Sequence, residues 1–264
     1  MRVVNHNQKE IMPHKIQRYG WVPDLPDHRD QLYSAPVAAL QALPPRADLT
    51  PKCPPVYDQG QLGSCTANAI GAAIEFDHLK QKLPDVVPSR LFIYYNERAM
   101  EGTVGSDSGA QIRDGIKSVA KQGACPEPMW PYSIAKFKTK PPQKCYAAGL
   151  KDKIVLYQRL VPTLNQLRGC LASGYPFVFG FTVYDSFESP AVAKSGHAPM
   201  PAPNEQAIGG HAVLGVGYDD GQQWFIIRNS WGPNWGLKGY FTLPYAYVTD
   251  TQLADDFWTI RLVQ

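Results

Sequence analysis

Three residues of this chain have the types and spacing for covalent chemistry: Cys65, His211 and Asn229. A cysteine attacks as its thiolate, so it needs a base near neutral pH and a third group to orient that base. The run Pro54-Pro55-Val56-Tyr57-Asp58-Gln59-Gly60-Gln61-Leu62-Gly63-Ser64 reads as loop. From Cys65 onward Ile70, Ala73, Ile74 and, less regularly, Phe76 fall on or near one helical face. Ser64 is a favourable N-cap type, which places Cys65 at the start of a helix. Partial positive charge and unpaired N–H groups there favour thiolate over thiol. The plain structural alternative is an inert cysteine opening a core helix.

Six histidines are available as the base: His6, His14, His28, His78, His197 and His211. Only His211 follows two glycines and opens a run of small and apolar residues, Ala212-Val213-Leu214-Gly215-Val216. Two glycines let another backbone come close. Taken alone, His211 also reads as a structural hydrogen-bonding residue at a strand start. The turn signal Asp219-Asp220-Gly221 folds this strand back onto Trp224–Arg228. In that register residue 229 returns beside residue 211, so Asn229 reaches the imidazole and Trp231 screens the contact from water.

The elements that must position these residues fall into two groups. Helices are expected from Cys65 to about Leu83, Ser89 to Met100 and Gly109 to Gln122, the last stopped by Gly123. A short helix over Leu164–Ser173 is followed by strands at Phe177–Tyr184, His211–Tyr218, Trp224–Arg228, Gly239–Leu243 and Phe257–Val263. Helices first and antiparallel strands second predict an α+β fold of two lobes with the site between them. Residues 1 to about 55 hold nine prolines and little periodicity. They read as an arm strapped across the surface, either simply packed there or reaching the cleft to regulate access.

Composition narrows the function. Twenty-six basic and 23 acidic residues give a net charge of +3, with no nucleic-acid footprint. No apolar run reaches membrane-helix length. The first twenty residues lack the apolar core of a secretory signal, so the chain is either not exported by that route or written without its signal, and its compartment stays open. The five cysteines, Cys53, Cys65, Cys125, Cys145 and Cys170, include no C-x-x-C pair, which disfavours a metal site. Cys125 and Cys145 flank one loop-rich segment and could bridge, while Cys170 reads as buried and free. Lys136, Lys138, Lys140 and Lys144 form a basic run that is either a solvated crossover or a weak site for an anionic ligand.

Taken together, Gln59-Gly60-x-x-Gly63-Ser64-Cys65, Gly210-His211-Ala212-Val213 and Arg228-Asn229-Ser230-Trp231-Gly232-x-x-Trp235-Gly236 resemble the papain family of cysteine peptidases, in its bacterial form, from about residue 45 onward. His211 follows Cys65 by roughly 150 residues, within the range that family uses. The resemblance implies a two-lobe papain-like fold. An arm over 1–50 precedes a peptidase domain over 51–264, with a helical lobe at about 60–130 and a β-barrel-like lobe at about 155–264. It implies a Cys65–His211–Asn229 triad, Trp231 covering it, and Gln59 as oxyanion donor beside the Cys65 N–H. Gly109 and Ala110 would bind substrate backbone, and Gly210 and Ala212 would line the neighbouring subsite. The expected partners are protein or peptide substrates, with no cofactor or metal. The expected activity is endopeptidase cleavage through a thioester. A deamidase, a transpeptidase or a silent binding module on the same scaffold are the alternatives. The chain departs from the family where Leu62 replaces a common cysteine, with its partner position near Asp107 also non-cysteine. Thr66 replaces an aromatic, Gly210 a polar residue, and the arm the usual helical propeptide. Without that disulfide, the Gln59–Cys65 loop is expected to hold its shape by packing.

Overall fold

The computed structural model describes Ile16 and residues 18–264; His6, His14 and the rest of the first arm residues lie outside the described residues. In chain order the helical half comprises α1 (Val37–Gln41), β1 (Arg46–Asp48), α2 (Cys65–Lys80), α3 (Arg90–Glu101), α4 (Ile112–Gln122) and α5 (Gln143–Gly149). The sheet half comprises β2 (Ile154–Arg159), α6 (Leu164–Ala172), β3 (Phe177–Tyr184), α7 (Pro190–Ser195), β4 (Ala207–Asp219), β5 (Trp224–Arg228), β6 (Tyr240–Pro244), α8 (Tyr245–Val248) and β7 (Ala254–Val263).

Helix α2 is the axis of the molecule. The pattern predicts one apolar face, yet every residue from Cys65 to His78 is buried. Four alanines and Gly71 keep the helix thin, so β4 and β7 pack against it as well as α3 and α4. Most of its buried polar side chains are paired, as burial requires, whereas both Asp77 oxygens lack a hydrogen-bond partner. Tyr57 donates its hydroxyl to Glu75, and His78 Nε2 lies 2.8 Å from Asp152 Oδ1. Helix α3 begins where Ser89 Oγ accepts from the Phe92 N–H at 3.1 Å. Helix α4 begins at Ile112 rather than Gly109, because Gly109 adopts φ +71° and leaves Ala110 extended.

The antiparallel sheet has the order β2-β7-β3-β4-β5-β6, and β1 adds to β4 through Ala47↔Tyr218. Residues 46–48 within the proline-rich segment are thus a strand of this sheet. Six elements were not expected from sequence: α1, β1, α5, β2, α7 and α8. Helix α5 is short and preceded by Pro141-Pro142, and α7 hides in a proline-rich loop, capped by Ser189 Oγ on the Val192 N–H. Strand β2 is an edge strand whose alternation is broken by register shifts against β7. The core between sheet and helices is aromatic, with Phe179 stacked on Phe257 at 5.0 Å between ring centroids.

The β4–β5 hairpin departs from the predicted register. Its turn spans 220–223, and a bulge separates Gly215↔Ile227 from Gly217↔Ile226. Asn229 lies beyond the end of β5, while on the other side of β4 His211 pairs with Phe181 of β3. All five cysteines are free thiols, with Cys125 and Cys145 hydrogen-bonded to each other in the core rather than bridged. Lys136 and Lys138 lie over the rings of Trp130 and Phe137.

Candidate active site

Cys65 opens α2 and is fully buried. Ser64 precedes it as expected, but its side chain does not cap the helix. Its Oγ instead lies 2.5 Å from the Tyr132 hydroxyl and accepts from Asn68 Nδ2 at 3.1 Å. Burial pushes the Cys65 thiol up to about 12, although backbone N–H groups of Ala212, Gly20 and Thr66 face the sulfur and favour its thiolate.

His211 is fully buried on β4, with its ring stacked on Trp231 at 5.1 Å and 27°. Its Nε2 lies 2.8 Å from Asn229 Oδ1. The Ser230 N–H also donates to that oxygen at 2.8 Å, which fixes the amide orientation. Oδ1 is therefore the acceptor, the His211 proton sits on Nε2, and Nδ1 carries the lone pair. Nδ1 has no hydrogen-bond partner. Burial lowers the imidazole to about 4, so both thiol and imidazole are neutral in this state.

Gln59 is held by both strands of its surroundings. Its N–H donates to Ser230 O at 2.8 Å, its Oε1 accepts from Ser230 Oγ at 2.6 Å, and its Nε2 donates to Leu62 O at 2.9 Å. An amide nitrogen has two hydrogens, so one N–H remains for another acceptor. The loop is not shaped by packing alone. The Gly63 N–H donates to both Asp107 oxygens at 3.2 and 3.1 Å, and Tyr94 donates its hydroxyl to the same carboxylate. Tyr132 donates to Gln59 O at 2.9 Å. Hydrogen bonds from α3, the 107 turn and the 132 segment thus join Leu62 packing in holding the loop. Thr66 donates to Glu97 Oε1 at 2.6 Å, and full burial pushes that carboxyl well above the usual carboxylate range.

Removing the Asp107 clamp gives a direct test. Asp107→Ala leaves the Gly63 N–H and Tyr94 hydroxyl without their acceptor, at about 1–3 kcal/mol of stability. Urea unfolding should show that loss, and kcat should fall more than KM rises because Gln59 sits on the same loop. An unchanged midpoint and kcat would contradict the clamp.

The arm reaches this site. Tyr19 meets the His211 ring edge-on at 6.0 Å and donates its hydroxyl to Glu188. Residues 20–22 lie as a strand between the two lobes. Ala110 N–H donates to Gly20 O at 2.8 Å, Val22 N–H to Ala110 O at 3.1 Å, and Trp21 N–H to Gly210 O at 2.9 Å. Gly109 has no room for a side chain, because a Cβ there would lie 2.2 Å from Gly20 O. Beyond the cleft, Asp24 accepts from the Trp258 Nε1–H at 2.9 Å and from the Arg113 N–H at 3.0 Å. The Arg113 guanidinium pairs with Asp30. The composition of the arm shows it to be extended; the partners it finds are tertiary.

The papain family cysteine protease model matches residues 43–257 of the chain. The chain is a papain-family cysteine protease. Xylellain, a cysteine protease from Xylella fastidiosa, is similar to it at 48% identity and a TM-score of 0.90, over 96% of this chain and 99% of that one. An uncharacterised peptidase C1-like protein of Acanthamoeba polyphaga mimivirus is 43% identical over 94% of this chain and 88% of its own length. Chymopapain of Carica papaya is 30% identical over 72% of this chain and 51% of its own. The protease therefore has the two-lobe papain-like fold, helices on one side and an antiparallel sheet on the other. Its likeness to xylellain extends across nearly the whole chain, whereas the chain spans about half of chymopapain.

Proposed function

We propose that the protease is an endopeptidase using Cys65, His211 and Asn229 as its triad, with its own arm holding it latent. The observation that carries this is the strand of residues 20–22 lying on Cys65. The cleft holds an extended polypeptide by main-chain hydrogen bonds to Ala110 and Gly210, and the chain enters at one end and leaves at the other. A cleft open at both ends suits cleavage inside a chain.

In the proposed reaction His211 Nδ1 takes the thiol proton and the sulfur attacks a substrate carbonyl carbon. The Cys65 N–H and the second Gln59 Nε2–H stabilise the oxyanion. The imidazolium gives its proton to the departing amine, leaving a thioester. A water deprotonated by His211 then hydrolyses the thioester and releases the acid. Asn229 holds the His211 proton on Nε2 and so leaves the Nδ1 lone pair to take the thiol proton, and Trp231 keeps water from the His211–Asn229 bond. Gly109, Ala110, Gly210 and Ala212 supply the backbone surface for substrate.

The arm is not cut in the pose it adopts. Gly20 presents its N–H to the sulfur, while its carbonyl is turned to the Ala110 N–H. The Gly20 carbonyl oxygen is thus engaged by Ala110 and not by the proposed oxyanion donors. Incubation with an unstructured protein tests the activity. Internal cleavage products, abolished by an active-site-directed epoxide, are expected. Products of unchanged chain length with altered mass would mean a deamidase, ligated products a transpeptidase, and folded enzyme without turnover or labelling a silent module.

Latency should also depend on pH. Trp21 Nε1–H donates to Asp256 at 3.0 Å and the Asp24 N–H donates to it at 2.7 Å. With the arm docked, burial first and then Asp24 push the Asp256 carboxyl up to about 7. Arg159 reaches its other oxygen, and Asp255 and Arg113 are the remaining charges nearby. With the arm released, Asp256 returns toward the usual carboxylate value of about 4. A raised docked value means that docking holds a proton. That contribution is complete below about pH 4 and lost as pH rises through about 7. The activity of the full chain relative to a Trp21→Ala variant should therefore rise from roughly pH 5 to 8, with His211 titration cancelling in the ratio. A flat ratio would refute this linkage.

A further inference from the structure

We propose that Arg90 is a positioning residue for the reaction, holding the Gln59 amide in place through a directed relay of hydrogen bonds that starts on α3; this rests on the oxyanion role given to Gln59 above. Arg90 is the first residue of α3, and its guanidinium lies between two aromatic rings. The Tyr57 and Tyr132 centroids are each 4.5 Å from its Cζ. Gly71 of α2 makes room for its stem, because a Cβ there would lie 3.3 Å from Arg90 Cγ. One end of the guanidinium donates to Asn68 Oδ1 at 3.3 Å, and the other donates to Glu127 Oε1 at 3.2 Å. Glu127 Oε1 also accepts from the Tyr132 N–H at 2.7 Å. Arg90 therefore faces Tyr132 at its ring and pairs with the carboxylate that holds its backbone.

The relay has a direction because a guanidinium can only donate. It must meet the oxygen of the buried Asn68 amide, which turns Nδ2 toward Ser64. Nδ2 donates to Ser64 O at 2.9 Å and to Ser64 Oγ at 3.1 Å. Ser64 Oγ lies 2.5 Å from the Tyr132 hydroxyl, which itself donates to Gln59 O at 2.9 Å. A hydroxyl has one hydrogen. Tyr132 gives its hydrogen to Gln59, so Ser64 gives its own to Tyr132. The donors thus run one way, from Arg90 through Asn68, Ser64 and Tyr132 to the Gln59 carbonyl. Bonds aligned in this way polarise and strengthen one another.

The far end of the relay bears on the reaction. The Gln59 backbone is pinned by its N–H on Ser230 from the sheet half and by its carbonyl on Tyr132 from the helical half. Its side-chain amide has one hydrogen left for an oxyanion. Without Arg90, Asn68 loses the partner that fixes which end of its amide faces Ser64, and Tyr132 loses the cation on its ring. The Gln59 carbonyl then follows a looser Tyr132. A displacement of about 1 Å in a reacting geometry costs up to roughly 100-fold in rate. Two reactions of Cys65 separate this role from general support of the fold. Peptide hydrolysis builds negative charge on the carbonyl oxygen that Gln59 stabilises. Alkylation by iodoacetamide forms a C–S bond as the C–I bond breaks; the charge leaves on iodide and no oxyanion develops. Both reactions use the same thiolate and the same open cleft.

The test uses the full chain carrying Trp21→Ala, with rates taken per alkylatable Cys65 so that the amount of folded enzyme cancels. Adding Arg90→Met, which keeps a side chain between the two rings, should lower kcat for a peptide by roughly 10- to 100-fold. KM should stay within about twofold and the iodoacetamide rate within about threefold, because neither reports the oxyanion. In a chain that also carries Gln59→Ala, Arg90→Met should lower kcat by no more than about threefold further, since the group it positions is already gone. If Arg90→Met does not fold, Arg90→Lys decides the question through the same ratio of hydrolysis to alkylation. It keeps the charge but lacks the planar fork that spans Asn68 and Glu127. Equal loss of hydrolysis and alkylation, unchanged hydrolysis, or an undiminished loss in the Gln59→Ala chain overturns the proposal. A Gln59→Ala chain that hydrolyses peptide at the parental rate overturns instead the oxyanion reading beneath it.

Discussion

Replacing Cys65 with alanine is expected to lower peptide hydrolysis by roughly 10⁴-fold or more while leaving the protein folded. The sulfur is the atom on which the backbone N–H groups of Ala212, Gly20 and Thr66 converge, and no other thiol stands at the start of a helix facing the cleft. Without it, the Gln59 amide and the Cys65-position N–H could still polarise a carbonyl, but no covalent intermediate forms. The fold should tolerate the change, because alanine fits the start of α2 and the lost contacts are those of one sulfur. Thermal unfolding and circular dichroism of the variant check the fold, and hydrolysis of a fluorogenic peptide checks the rate. Retained turnover above about one hundredth of the parent would require another nucleophile and would remove Cys65 from the mechanism.

The second large effect runs the other way. Trp21→Ala in the full chain should raise turnover by roughly 30- to 100-fold. The indole fills the pocket made by Gly180 and Gly210 and donates to buried Asp256. Losing a half-buried aromatic and its hydrogen bond weakens docking by about 2–3 kcal/mol, and each 1.4 kcal/mol is tenfold in the open fraction. Opening also restores water to the site. Burial is what holds Cys65 as a thiol and His211 as a neutral ring, so release lets the thiolate–imidazolium pair form. The rate of epoxide labelling measures this directly. Identical labelling of folded parent and variant would show that the arm does not limit access. The outer anchors, Arg113–Asp30 and Trp258–Asp24, should keep the arm tethered in the variant.

Much of the protein is legible along the chain. Gln59, Cys65, His211, Asn229 and Trp231 stand in local motifs, and the helix-then-strand order carries the two-lobe class. Local physics suffices there, because a loop-to-helix change, a glycine stop and strand alternation are written over a few residues. Long-range pairing is different. The bulge in β4 and the longer turn shift the β4–β5 register, so the expected Asn229 contact arises between side chains rather than from paired strand positions.

The sequence by itself determined which residues can do chemistry and which elements carry them. Only the tertiary structure decided what surrounds them. Asp107, Tyr94 and Tyr132 replace a missing cross-link with hydrogen bonds from three distant segments. Tyr19 and Trp21 occupy the cleft, and Asp256 meets the arm across more than 200 residues of chain. No local pattern encodes such contacts. They depend on which donors and acceptors folding brings together in a space too dry to leave them unpaired.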